Sequence, residues 1–192
     1  IHTNHSDWSA YQQCKSLEDL YNKLYIECKG NINKVIAELL IKTGTNARTL
    51  ADRIRYLKQS NAVKKIVESN NELYWTVVEI EVGFIEPAEK NYPEYFNKVD
   101  KDKVRLFLLN KYIKGVETTS TDVRNVKYMM ATKKEEKDKY KYYCALFTKL
   151  TTDNKFTFED AKNHFENKYP PKEFTYLTPR KLNNKIENFT KL

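Results

Sequence analysis

Arg48, Thr49, Arg53, Arg55 and Lys58 fall within eleven consecutive residues. Between them stand Leu50, Ile54 and Leu57, spaced by four and then three, which is one face of a helix. With those three turned inward, Arg48, Thr49, Ala51 and Arg55 point outward, and Arg53 and Lys58 lie on the flanks. A guanidinium offers a planar fork of donors that fits a guanine edge or a phosphate bidentately, and a threonine hydroxyl bonds either. Such a helix has the groups to read base edges in a major groove. Its flanks, with Lys64 and Lys65 just beyond, would meet phosphates. Two further stretches carry similar groups: Thr121, Asp122, Arg124 and Lys127, and then Arg180, Lys181 and Asn183. In the last stretch Glu187 would repel phosphate, which favours packing against a protein partner there.

Other reactive side chains offer less. His2-x-x-His5 has half the spacing of a metal site but no cysteine or carboxylate partner nearby. His164 sits beside Phe165 in an amphipathic stretch and reads as structural. The carboxylate pairs Glu79/Glu81, Glu135/Glu136 and Glu159/Asp160 read as solvated. Tyr140, Tyr142 and Tyr143 alternate with lysines as in proteins that stack single-stranded bases, although on a helix they serve more simply as core and rim. No phosphate-binding glycine loop and no nucleophile elbow is present. No catalytic residue, cofactor or metal is therefore expected, and the chain reads as a binding protein rather than an enzyme.

Helices must position these groups. Ser16 is the expected cap of a first helix with Leu17, Leu20, Tyr21, Leu24 and Cys28 on one face, stopped at Gly30. A second carries Ile32, Val35, Ile36, Leu39 and Leu40 and ends at Thr43-Gly44. The basic helix runs from about Asn46 to Gln59. Residues 60–69 read as a connector, and Ser69-Asn70-Asn71-Glu72 as a capping box. From Leu73 to Ile85, β-branched residues favour a strand, but the Leu73, Val77, Ile80, Phe84 spacing predicts a helix. Pro87 to Pro93 reads as a loop. A helix over Val99–Lys114 should stop at Gly115, and Ser120 should cap another reaching about Lys134. The charge run at 133–141 reads as a solvated helix face. Tyr140, Tyr143, Cys144, Phe147 and Leu150 form the next stripe. Thr157 caps a helix through Phe165 and Tyr169, broken by Pro170-Pro171. Thr178-Pro179 starts the last, with Leu182, Ile186 and Phe189 inward.

The composition agrees with helices. Four glycines in 192 residues are few for an all-β fold or a nucleotide-binding α/β fold. The net charge of +8 points to an anionic partner, with nucleic acid first and a membrane surface second. Three cysteines, an odd number without a CxxC, fit a reducing compartment better than a disulfide framework. No apolar run reaches the length of a membrane span and no signal peptide is visible. The isoleucine at position 1 is expected to mark a piece of a longer protein.

Arg48-Thr49-Leu50-Ala51-Asp52-Arg53-Ile54-Arg55-Tyr56-Leu57 and Arg180-Lys181-Leu182-Asn183-Asn184-Lys185-Ile186-Glu187-Asn188-Phe189 share their three apolar anchors, the leading Arg and the basic residue before Ile. Each follows two shorter helices, which suggests a repeated three-helix unit. The first string resembles the third helix of Myb/SANT and homeodomain-like domains. In telomeric Myb domains that helix follows a Val-Asp-Leu-Lys-Asp-Lys-Trp-Arg-Asn-Leu type of pattern. Leu50, Asp52, Arg53, Arg55 and Leu57 fit it, Ile54 stands where Trp is usual, and Ala51 stands in place of a Lys. The tandem arrangement is similar to the Myb-containing regions of nematode double-strand telomere-binding proteins and, more loosely, to SPK domains. The resemblance implies base contacts from Arg48, Thr49 and Arg55, telomeric duplex repeats as ligand, chromosome-end protection and a nuclear location.

The expected architecture is all-α, as tandem three-helix helix-turn-helix units. These would be a Myb-like unit at 1–67, a divergent helical unit at 68–136 and a second Myb-like unit at 137–192. The expected function is double-stranded DNA binding through recognition helices in the major groove. The alternative is a protein–protein or homodimerisation module built on the same helices without direct DNA contact.

Overall fold

The structure is a computed structural model that describes residues 8–126, 129 and 136–170. It is all-α; no strand occurs among the described residues. The helices are α1 (Ala10–Lys15), α2 (Glu18–Glu27), α3 (Ile32–Thr43), α4 (Ala47–Leu57), α5 (Asn61–Ser69) and α6 (Leu73–Ile80). A π-helical turn, Glu81–Ile85, continues α6 into α7 (Glu86–Asn91). Then come α8 (Pro93–Phe96), α9 (Lys101–Ile113), a 3-10 helix at Asp122–Val126, α10 (Lys137–Thr152) and α11 (Phe158–Lys168). No helix of the described residues is long and apolar enough to cross a membrane.

Several expected stops and starts hold. Gly30, Gly44 and Gly115 take φ of +74°, +63° and +69°, the left-handed region that ends a helix at little cost to glycine. Asn46 caps α4, its Oδ1 accepting the Thr49 N–H at 2.9 Å. Thr157 and Asp160 form a reciprocal capping box at α11. Other starts differ. The Ser16 hydroxyl donates back to the Gln13 carbonyl at 2.9 Å instead of capping α2. No side chain caps α6; Asn70 Oδ1 accepts the Glu72 N–H across a turn of two residues.

Three segments depart from expectation for physical reasons. Residues 60–69 form α5 rather than a connector, because Val63 and Val67 at i,i+4 both reach the core. Residues 87–93 are mostly helical, because the π-helical turn carries α6 without a break into α7; its bonds span five residues, with the Glu86 N–H donating to the Glu81 carbonyl, just where Pro87 offers no N–H. Over residues 122–126 the α-helix expected from Ser120 is instead a 3-10 helix; of its further expected course to Lys134, all but residue 129 lies outside the described residues. The two apolar residues of the 3-10 helix, Val123 and Val126, stand at i,i+3 and are both buried, which suits three residues per turn.

One hydrophobic core holds these elements together. It crosses the expected unit boundaries at 67/68 and 136/137. Tyr11 and Tyr56 meet Tyr74 edge-on or tilted, with ring centroids 6.4 and 5.2 Å away. Phe84, on the π-helical turn, stacks on Phe147 of α10 at 4.3 Å. Gly83 lets the π-helical turn lie close against the 3-10 helix, because a Cβ there would lie 3.0 Å from Val123 Cγ1. Packing of α4 against α6, and of the π-helical turn against the 3-10 helix, follows from these contacts. It determines what stands opposite the basic face of α4.

Candidate binding cleft

On α4, Leu50, Ile54 and Leu57 are buried as their spacing requires. The opposite face presents Arg48, Ala51, Asp52 and Arg55. That face does not stand free in solvent. It forms one wall of a cleft of about 480 Å³, with α6 and the π-helical turn as the other wall and Arg124 of the 3-10 helix at one side. The α6 wall contributes Trp75, Val78, Glu79 and Val82. Three of the arginines singled out in the sequence, Arg48, Arg55 and Arg124, are thus brought together although they lie up to 76 residues apart.

Two of the three are engaged. Arg55 Nε and Nη2 donate to the two carboxylate oxygens of Glu86 at 2.7 and 3.1 Å, and Nη1 donates to Asp52 at 2.9 Å. The Glu86 carboxylate, helped by Asp52, holds the Arg55 guanidinium above its ordinary pKa. Arg124 donates bidentately to Glu79, with Nε 2.8 Å from Oε2, and Glu79 raises its pKa likewise. Arg48 is exposed and has no ion pair among the described residues. Asp52, Glu79 and Glu86 therefore balance the three guanidinium groups. The cleft is polar and close to neutral, with no surplus of positive charge. At its mouth Trp75 leaves 46% of its surface exposed, its ring edge-on to Tyr74 at 5.2 Å.

The remaining expected contact residues are dispersed. Thr49 lies in the first turn of α4, and Lys58 ends that helix in solvent. Arg53 turns toward α1, where Nη2 donates to Gln13 Oε1 at 2.5 Å. Lys64 is only 17% exposed at its side chain and donates to Glu18 at 2.9 Å, whereas Lys65 is exposed on α5. Thr121 is exposed, its hydroxyl 3.1 Å from that of Thr119. Asp122 serves its own turn, accepting the Thr118 and Thr119 N–H groups at 2.9 and 2.8 Å. Partial burial would raise its carboxyl pKa, but the bonds from Thr119 and Thr118 outweigh that and hold it low. Lys127, Arg180, Lys181 and Asn183 lie outside the described residues.

Trp75, Glu79 and Glu86 were not anticipated as site residues. For Trp75 a signal existed. The spacing that turns Leu73, Val77 and Ile80 inward leaves a large aromatic facing out, which is unusual without a use. Glu86 carries no such signal, because its pairing with Arg55 spans 31 residues.

Among the described residues no group of His, Cys, Asp and Glu is arranged to hold a metal ion. The Cys14 thiol is buried in the core, and burial pushes its pKa up to about 12, so it stays protonated and unreactive.

No family model, curated protein or solved structure matches this chain.

Proposed function

We propose that this chain is a protein-recognition module that uses the cleft between α4 and α6. The observation that carries the reading is the cleft itself. The outward face of α4, which a groove-reading helix needs free, is walled in by α6. Its Arg55 already holds a carboxylate in the bidentate geometry that a guanine edge would require. A recognition helix with side chains is about 10–12 Å across and must enter a groove about 12 Å wide, which leaves no room for a second wall. A near-neutral surface of paired charges around a half-exposed Trp and several Arg side chains matches the centre of a protein interface, where Trp and Arg carry most of the binding energy.

Duplex DNA is the second reading. It is favoured by the net charge of +8, by the exposed Arg48, which has no ion pair among the described residues, and by the exposed Lys58 and Lys65 that follow. The likeness of α4 to a Myb third helix makes telomeric repeats the duplex to try.

Anisotropy titration of telomeric-repeat and scrambled duplexes over a salt series separates the two. The protein reading expects weak binding, equal for both duplexes, fading toward physiological salt and unchanged in Arg55→Ala. Tight, selective binding that drops in Arg48→Ala and Arg55→Ala with helix content intact would overturn it. In parallel, a photoreactive phenylalanine derivative in place of Trp75 should give a discrete protein adduct in cell extract, and one in place of exposed Lys155 should not.

A further inference from the structure

The cleft is charge-balanced, whereas the outward face of α10 is not. From 139 to 152 the chain carries three lysines and no acid. The helix buries Tyr143, Leu146, Phe147 and Leu150 and turns Lys137, Lys141, Ala145, Thr148 and Thr152 to solvent. Lys149 borders that face and Lys155 follows in the next loop, both exposed. None of these four lysines has an ion pair among the described residues.

The carboxylates nearby are mostly committed. Glu136 pairs with Lys139 and Glu159 with Lys162, each at 3.4 Å. Asp153 accepts the Lys155 N–H, and Asp160 caps α11. Asp138 is exposed, but in the first turn, where the helix N-terminus favours a carboxylate. On α11, His164 and Lys168 share the side turned to Tyr142, and Glu159, Lys162 and Glu166 fall on another.

A row of unneutralised cations fits a polyanion, and the spacing fits a duplex. Lys141 and Lys149 stand eight residues apart, about 12 Å along the axis and close to the width of the DNA major groove. Each can thus meet one of the two phosphate backbones. Between them, Ala145 and Thr148 are small enough for close approach. Thr148 Oγ1 donates to the Cys144 carbonyl at 2.9 Å, and Thr152 Oγ1 to that of Thr148 at 2.8 Å. These hydroxyl protons are spent within the helix, which leaves phosphates rather than base edges as the partners. Single-strand stacking is disfavoured, because the half-buried Tyr142 is engaged by Lys168 at 4.1 Å and by Tyr169 at 5.9 Å. A lipid surface would need apolar side chains to insert, and Ala145 is the only exposed apolar residue of α10.

We propose that α10 docks on duplex DNA through its lysines, without regard to base sequence and independently of the cleft.

Anisotropy titration of the intact chain with a short random-sequence DNA duplex, between about 50 and 200 mM salt, tests this. Lys141→Gln combined with Lys149→Gln should lower affinity about tenfold at low salt and reduce the slope of log affinity against log salt by about two. Lys58→Gln combined with Lys65→Gln, also exposed and of equal charge, should leave the slope unchanged. Circular dichroism checks that each variant folds. Equal losses in both pairs would mean diffuse attraction and overturn the α10 surface. So would a loss in Arg48→Ala without one in the α10 pair, or no binding at low salt. Binding to duplex RNA or phosphatidylserine vesicles as tight as to DNA would overturn it too. The Trp75 adduct expected of the cleft does not depend on α10, so either reading can fail alone.

Discussion

Glu117 is 4% exposed, and its Oε1 accepts the N–H of Phe158 at the start of α11, at 2.8 Å. Burial pushes its carboxyl pKa up to about 7, against the opposing pull of that N–H and of the Lys111 ammonium. The folded state thus holds a proton that the unfolded chain releases near pH 4.5. Below that value both states are protonated and the carboxyl adds no pH dependence. Between pH 4.5 and about 7 folding stability falls as pH rises, and above 7 the loss levels off. The size of the effect is roughly 3 kcal/mol at most. Glu117→Gln keeps the acceptor and removes the titration. Its melting temperature should therefore fall less than that of the native chain between pH 5 and pH 8. Equal falls, followed by circular dichroism, would show that Glu117 does not titrate in this window. Lys111 is the companion buried charge, with Nζ 2.8 and 2.6 Å from the Leu150 and Phe156 carbonyls. Burial lowers its pKa, and those two acceptors are what let an ammonium sit in the core.

At the scale of elements, the π-helical turn and the 3-10 helix are seated through Gly83. Alanine there would ordinarily favour a helix by about 1 kcal/mol. Its Cβ, however, would meet Val123 at 3.0 Å, and Val123 is fully buried with nowhere to yield. Gly83→Ala should therefore destabilise the chain by about 1–3 kcal/mol in urea unfolding. Combined with Val123→Ala, the same change should become neutral or stabilising, a coupling that only a shared contact produces. Additive effects in the double-mutant cycle would mean the two elements do not meet there. Because Val82 and Gly83 line the cleft with Arg124, loss of this seating should also move Arg124 away from Glu79.

For the molecule as a whole, the question is whether residues 1–67, expected as a three-helix unit and carrying α1 to α4 with most of α5, are self-sufficient. Cys14, Tyr56, Val63 and Val67 are buried together with Tyr74, Val77 and Leu108, in a core that the rest of the chain completes. Cut after residue 67, the segment would expose much of that surface, and a fragment of this size has little stability to spare. We expect residues 1–67 alone to show no cooperative thermal transition, and residues 8–170 to melt in a single one. A cooperative melt of the short fragment would show an independent unit there.

Periodic burial was legible from the residues alone. Leu50, Ile54 and Leu57, the Leu73 to Phe84 spacing and the Thr157 cap each state a helix and its inward face, because a side chain three or four positions away is a neighbour in any helix. The left-handed stops at Gly30, Gly44 and Gly115 were legible for the same local reason. Prolines and valines were less so. Pro87 lies within a helix instead of a loop, and Val123 and Val126 serve a 3-10 turn, since the local signal is shared by both outcomes and packing decides between them. The face of α4 shows the limit most clearly. Its composition was readable, but its surroundings were not. That Arg55 would find Glu86, that Arg124 would arrive beside it with Glu79, and that Trp75 would overlook the result all depend on pairings across 31 and 45 residues. Local periodicity determines which side of a helix is buried. Only the tertiary structure decides what the other side faces, because long-range contacts are set by the packing of the whole core.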